Sequence, residues 1–312
     1  MFKKTENNFL VDFETVHYPG IELHQIIDNL RSHGPVVPIN FMGSSSWLIL
    51  DHSHVKQGFR DNFLFPPDTP YKIGIEPVIG ETFQSMEGER HRIFRKLATP
   101  TFQPRSIEKL DSDLLAEVAN ELIHEFINNE TADLVTAFNQ RYPFVLIARL
   151  LGIPKEEEGQ FYRWVMTILR FRSDPEAAIA SRNELWDYLD PVIADRKANP
   201  KDDVISNLIH DEVDGIKMTE DQIKSHVGIM FTAGSSTTHD SLGNILYALL
   251  SIRDNWEKVK IYPELRPLAI EEALRWESAV SMLPRMSNKE TDIEFGGVTI
   301  KANTFVMFGI CG

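Results

Sequence analysis

Four consecutive hydroxyl side chains interrupt a strongly apolar stretch between Asp221 and Leu250. They lie in Thr232-Ala-Gly-Ser-Ser-Thr-Thr238, between the apolar residues 227–231 and 242–250. A helix buried on most sides is expected to carry apolar residues all round. Glycine beside serine is a recognised cause of a helix kink, and hydroxyls can bond to carbonyls of the preceding turn. The segment therefore predicts a kinked, hydroxyl-lined notch that suits a small polar molecule. The alternative is a packed helix whose hydroxyls donate only to carbonyls of the same helix.

A second candidate site is a cationic helix face in residues 89–96. His91 and Arg95 are four residues apart and would share one face of a helix. Such a pair suits a carboxylate or phosphate ligand, to which arginine offers a bidentate fork. The alternative is a solvated basic face paired with Glu87 and Glu89.

Glu272 and Arg275 are three residues apart on a predicted, otherwise apolar helix. On a surface such a pair contributes little. If buried, it would cost stability without further partners, so a buried pair should organise something.

Other catalytic signatures are absent from the sequence: there is no glycine-rich phosphate loop, no His-Glu-x-x-His and no Gly-x-Ser-x-Gly. The histidines at 52, 54, 210 and 239 lack metal-ligand spacing with one another. A single cysteine, Cys311, excludes an internal disulfide and a cysteine-based zinc site. We therefore predict no metal site built from these side chains.

The bulk composition is that of a globular protein, with 312 residues, 42% hydrophobic and 25% charged. A net charge of -14 argues against a non-specific nucleic-acid binder. The sequence shows no apolar run of about 18 residues and no secretory signal, which predicts a cytoplasmic protein without a membrane span.

The elements that must position these residues are mostly helices. Strands are predicted within 35–50, 293–300 and 304–308, with Gly296 and Gly297 as a turn. Residues 63–83, which hold four prolines, are the longest predicted loop. The fold class is therefore mainly α with a small β part, in a single domain over 1–312. Helices are predicted at 106–129, 135–152, 155–172, 176–197, 202–212 and 219–250.

Taken in order, these motifs resemble the cytochrome P450 family, specifically its soluble bacterial type, over nearly the whole chain. His91 and Arg95 resemble the family's pair that holds a haem propionate, and Arg285 resembles a second propionate contact. Glu272 and Arg275 fall on the family's ion pair. Further similarity covers segments 100–104, 151–154 and 202–208, and the family's oxygen-binding segment, which corresponds to residues 233–238.

The resemblance implies the cytochrome P450 fold and haem b, whose iron is held by a cysteine thiolate. It also implies a ferredoxin or similar electron donor, molecular oxygen, and insertion of one oxygen atom into a small apolar organic substrate. The residues implied for catalysis are Thr237 and Ser236, and those implied for cofactor binding are His91, Arg95, Ala233, Gly234 and Arg285.

The sequence departs from the family pattern in two places. The family usually has Asp or Glu before the notch threonine, whereas here Ser236 can relay a proton through water but cannot act as a carboxylate. The family's haem-ligating cysteine lies in a loop well beyond the strand that residues 301–308 resemble. We therefore expect that Cys311 is not the iron ligand, and that the 312-residue chain is truncated before that loop and the last helix.

Two functions follow. The first is a haem-thiolate monooxygenase, seen as a fragment or truncated form. The second is a haem-free helical protein, derived from that fold, that binds a small molecule or a partner; the serine at 236 favours it, because a chain relieved of catalysis need not keep the carboxylate.

Overall fold

The structure is a computed structural model that describes residue 11 and residues 21–41, 43–103 and 112–310. Part of the helix predicted at 106–129 lies outside the described residues, as does Cys311. Within them the chain is mainly α-helical with two small sheets, as the sequence predicts.

Helices are found at all six predicted ranges, and the described residues also contain helices that were not predicted. The first five are α1 (Ile21–Arg31), α2 (His52–Arg60), α3 (Asp68–Gly74), α4 (Glu76–Ile79) and α5 (Gly88–Ala98). Next come α6 (Ser112–His124), a π-helical turn (Val135–Asn139), α7 (Tyr142–Leu150), α8 (Glu158–Ile168) and α9 (Pro175–Ala198). The last four are α10 (Val204–His210), α11 (Glu220–Leu250), α12 (Arg253–Ile261) and α13 (Arg266–Trp276).

The described residues group into two compact units. One combines those of Met1–Pro70 with those of Tyr247–Gly312, and the other consists of those of Tyr71–Leu246.

The first unit contains a four-stranded sheet of order β1-β2-β6-β3. Its strands are β1 (Val36–Phe41), β2 (Ser44–Ile49), β3 (Met282–Met286) and β6 (Phe305–Gly309). Strands β1 and β2 are antiparallel, β2 and β6 are parallel, and β6 and β3 are antiparallel. Strand β3 was not predicted, because Pro284 lies inside it. As an edge strand, β3 tolerates a residue without an N–H.

A separate hairpin joins β4 (Ile293–Phe295) to β5 (Val298–Ile300). Gly296 and Gly297 form its turn with φ of 58° and 83°. A two-residue hairpin turn with positive φ at both positions favours glycine, so the predicted turn is confirmed here.

The same unit exposes an apolar segment, residues 247–276. Half of the strongly exposed large apolar side chains among the described residues fall within it. Leu268 is 69% exposed, Tyr247 66% and Ile261 64%. The indole of Trp276 stacks on the ring of Tyr247 at 6.3 Å.

The second unit is built around aromatic side chains. Phe231 of α11 is fully buried, and its ring centroid lies 5.3 Å from that of Phe144 and 5.4 Å from that of Phe161. These residues belong to one apolar cluster, to which helices α4 to α11 contribute side chains. The core of this unit therefore fixes the N-terminal half of α11. The candidate notch lies on the same helix.

The loop predicted over 63–83 is wrong in its centre, because α3 and α4 lie within it. Pro70 and Pro77 occupy the first turns of these helices. A first-turn N–H has no partner inside the helix, so proline costs little there.

Candidate functional site

The hydroxyl run lies within one unbroken α-helix, α11. Three hydroxyls of segment 232–238 donate to carbonyls of the preceding turn: Thr232 to Gly228 at 3.1 Å, Ser236 to Thr232 at 3.4 Å and Thr237 to Ala233 at 2.8 Å. The back-bonding alternative thus describes these three side chains. Because a hydroxyl that donates inward keeps its lone pairs, Thr237 can still accept a hydrogen bond on its outer side.

The burial of α11 changes within this run. Nearly every residue from Ile223 to Thr232 is buried, whereas none of residues 236–250 is. Ala233 and Thr237, one turn apart, are exposed, and Gly234 between them is half-buried. The expectation of a helix buried on most sides is therefore wrong for the C-terminal half, and the notch lies at the boundary.

The hydroxyl of Ser235 differs from these three. It is buried and has no hydrogen-bond partner among the described residues. On the same helix, Gly234 and Thr238 line a cavity of about 290 Å³ whose other walls are apolar. Those walls come from residues of α6 and α7 and from Phe102. The notch therefore combines a polar exposed face with an apolar hollow.

Helix α5 presents the predicted cationic face. His91 is half-buried, and its Nδ1 donates to the carbonyl of Phe83 at 2.8 Å. Arg95 is exposed, and the described residues place no carboxylate within 4 Å of its guanidinium. The predicted alternative, a basic face paired with Glu87 and Glu89, holds for Arg92, which pairs with Glu89, whereas Glu87 pairs with Lys72. Among the described residues, neither carboxylate pairs with His91 or Arg95. The outer edge of this face is thus open to an anion.

Sequence reasoning missed His226, which lies on α11 within the same unit. The ring is fully buried, and its Nε2 accepts from the N–H of Phe83 at 3.2 Å. Its Nδ1 donates to the carbonyl of Gln222 at 2.6 Å. Burial lowers the pKa of His226 to about 4, so the ring is neutral at physiological pH. A lone histidine on an apolar helix gives no local signal of such a role.

The pair Glu272–Arg275 is present on α13 as a bidentate contact with both N–O distances at 2.7 Å. The guanidinium lowers the pKa of the Glu272 carboxyl. Both side chains are exposed, Glu272 by 63% and Arg275 by 70%. Of the two alternatives, a surface pair and a buried pair, the structure therefore shows the surface pair.

Arg285 lies on β3, opposite Val306 of β6. Its guanidinium lies 5.1 Å from the centre of the Phe59 ring, which orients the side chain by a cation–π contact. The described residues hold no cluster of three or more His, Cys, Asp or Glu side chains placed to bind a metal ion.

Several known proteins are similar to the chain, although no protein-family model matches it. It is 34% identical over 221 residues to the polyketide biosynthesis cytochrome P450 PksS of Bacillus subtilis (strain 168), covering 70% of this chain and 54% of that protein. It is 30% identical over 268 residues to the erythromycin C-12 hydroxylase of Saccharopolyspora erythraea, covering 83% of this chain and 66% of that protein. The solved structure of PksS superposes with a TM-score of 0.85 at 29% identity, over 95% of this chain and 78% of that one.

A second solved structure, that of the cytochrome P450 EryK of S. erythraea, superposes with a TM-score of 0.81 at 28% identity, over 95% of this chain and 76% of that one. PksS and EryK therefore share one fold with this chain. The chain belongs to the cytochrome P450 family, as its motifs predict. It spans between about half and two thirds of the length of these two curated relatives. In the described part of the chain, no helix combines the length and apolar composition needed to cross a membrane.

Proposed function

We propose that this chain is all or part of a haem-dependent monooxygenase that inserts one oxygen atom into a small apolar organic substrate. The observation that carries the proposal is the exposed face of α11 at Ala233 and Thr237, set on a helix whose preceding turns are buried. Family membership favours this function over a haem-free binding protein.

The residues present fit the carboxylate arms of a haem. Arg95 is exposed without a carboxylate partner among the described residues, and His91 has one ring nitrogen anchored and the other without a partner there. Together they would hold one arm. For Arg285, the resemblance to the family alone implies a carboxylate contact. The small residues Ala233 and Gly234 would lie against the flat ring. When bound, haem supplies the activation of molecular oxygen.

Thr237 has a defined place in proton handling. Its hydroxyl proton is held by the Ala233 carbonyl, so the outer lone pairs of the oxygen accept from a water molecule. Ser236 donates to the Thr232 carbonyl and cannot supply a proton as a carboxylic acid would. Protons would therefore reach the site through water ordered at Thr237.

The remaining parts of the proposal come from the family. The electron donor would be a ferredoxin or a similar protein, the compartment would be the cytoplasm, and residues 1–312 would form one domain. We also propose that Cys311, the one cysteine in the sequence, is not the axial ligand of the iron.

A haem titration of the 312-residue chain tests the proposal. We expect saturable one-to-one binding, weakened about tenfold or more when Arg95→Gln removes a charge-assisted contact. Haem dimethyl ester, whose arms carry no charge, should bind the wild type and R95Q alike. Absence of saturable haem binding, or equal wild-type affinity for haem and its ester, would contradict the proposed site.

The reduced carbon monoxide complex tests the axial ligand separately. Cys311→Ser should leave its absorption spectrum unchanged, whereas a shifted Soret band would make Cys311 the ligand. In a turnover assay with a ferredoxin donor, made on a form of the protein that provides an axial cysteine, Thr237→Ala should lower the product formed per oxygen consumed, and Thr237→Ser, which keeps the hydroxyl, should restore it.

A further inference from the structure

Two histidines bracket the same residue of the main chain. The N–H of Phe83 donates to Nε2 of His226 at 3.2 Å, and the carbonyl of Phe83 accepts from Nδ1 of His91 at 2.8 Å. Phe83 begins a single 3₁₀ turn, Phe83–Ser85, between α4 and α5. A short hydrogen-bonded chain therefore runs from the buried part of α11 through this turn to the cationic face of α5.

The partners fix the protons on both rings. A carbonyl oxygen can only accept, so Nδ1 of His226 carries the hydrogen that meets Gln222, and its Nε2 is the lone pair that meets the Phe83 N–H. By the same reasoning, Nδ1 of His91 carries the hydrogen that meets the Phe83 carbonyl. Nε2 of His91 is then the atom left to face an incoming group.

The surroundings of His226 are otherwise apolar. The centre of its ring lies 5.9 Å from that of Phe83 and 6.1 Å from that of Phe94, with angles of 30° and 25° between the ring planes. A phenylalanine would pack equally well in such a stack, and without the cost of burying a polar ring. What histidine adds at this position is two ring nitrogens: Nδ1 bonds within α11 to Gln222, and Nε2 is the acceptor for the Phe83 N–H.

We propose that His226 is a positioning residue, which holds the Phe83 turn so that the Phe83 carbonyl orients His91 with Nε2 toward an anionic group. The inference rests on the proposed function, in which that group is a carboxylate arm of haem. His226 itself would touch neither haem nor substrate.

Two substitutions distinguish the effect of the hydrogen-bond acceptor from that of the aromatic ring. His226→Phe keeps an aromatic ring and removes the acceptor, while His226→Gln keeps an acceptor near the position of Nε2. Haem and haem dimethyl ester are titrated into each 312-residue variant. We expect H226F to lose about tenfold in affinity for haem and little for the ester, and H226Q to retain most of the affinity for haem.

A double-mutant cycle tests whether the effect passes through His91. In a His91→Phe background, H226F should cause no further loss of haem affinity, because the group that it positions is gone. Val227→Ala, at the buried neighbouring position, is the control for a destabilised α11 and should bind haem as the wild type does. Histidine ¹⁵N shifts, measured without haem, should show His91 protonated at Nδ1 in the wild type and H226Q but mixed in H226F.

The outcomes distinguish this inference from the proposed function. If the wild type prefers haem over the ester and H226F keeps the same preference, His226 is only a packing residue and the inference fails alone. It also fails alone if H226F weakens haem binding equally in the His91→Phe background. If the wild type shows no preference for haem, the proposed carboxylate contact fails first.

Discussion

At the scale of single residues, His226 links folding to pH. Its ring stays neutral in the folded chain down to a pKa of about 4, whereas in the unfolded chain a histidine titrates near 6.5. Between these values the unfolded chain binds a proton that the folded chain excludes. The contribution of this residue to the free energy of unfolding is therefore fully present above about pH 6.5, and it is lost as the pH falls toward 4.

We predict that His226→Gln flattens this part of the stability profile. Between about pH 6.5 and pH 4, the free energy of unfolding of the wild type should fall by about 3 kcal/mol because of His226. In the variant, this part of the fall should be absent. Urea unfolding at several pH values between 7.5 and 4.5, with the difference between the two proteins plotted, measures the effect. His52→Gln, at an exposed position, is the control. A difference that does not vary with pH would contradict the burial of His226.

The same residue shows what a sequence cannot reveal. The hydroxyl run and the spacing of His91 and Arg95 are local patterns, and the sequence predicted both as candidate sites. The contact of His226 with Phe83 joins residues 143 positions apart, and no spacing along the chain encodes it. Burial of one polar ring depends on which elements pack around it, which only the folded chain decides.

At the scale of elements, α2 meets the sheet of its own unit through Gly58. A Cβ at this position would overlap the ring of Phe308. That ring is fully buried and packs tilted on Phe59 at 4.7 Å and edge-on against Phe65 at 5.2 Å, so it cannot withdraw. The absence of a side chain at residue 58 therefore allows the close approach.

We predict that Gly58→Ala destabilises the chain by up to about 2 kcal/mol. Alanine gains about 1 kcal/mol as a better helix former, but overpacking a core typically costs about 1–3 kcal/mol and should exceed that gain. Chemical denaturation measures the change. Gly74→Ala in α3 is the matched control, because no atom lies within 4 Å of its Cβ position, and it should be neutral or mildly stabilising. A stabilised G58A chain would show that the ring can move.

Apolar periodicity predicted the long helices α8, α9 and α11 to within a few residues. Helices α8 and α9 bury one side over several turns, whereas α11 contains long apolar runs, and a sequence records both patterns. The shorter elements were missed for a different reason. Prolines 70, 77 and 284 read as breakers, although they occupy first turns or an edge strand, where the missing N–H costs little.

At the scale of the whole molecule, the exposed apolar segment 247–276 carries half of the strongly exposed large apolar side chains among the described residues. Contiguous apolar patches mark an interaction surface or an aggregation hazard. Its exposed side chains come from the end of α11, from α12 and from α13.

We predict that the isolated 312-residue chain self-associates through this segment. Ile261→Lys with Leu268→Glu should shift sedimentation velocity profiles toward the monomer, with a stability change within about 0.5 kcal/mol because both side chains are exposed. Ile127→Lys with Ile21→Glu changes two exposed side chains elsewhere without altering net charge, and it should have no such effect. If both pairs act alike, association does not depend on the segment.

The change in burial at Ser235 also gives α11 two dynamic regimes within one continuous backbone. Amide hydrogens of residues 223–232 are held by a packed core, so their exchange with solvent deuterium requires that core to open. The fifteen residues that follow Ser235 include no fully buried member, so fewer packing contacts oppose local opening there. Deuterium should therefore enter the helix from its C-terminal end and halt at the hydroxyl run.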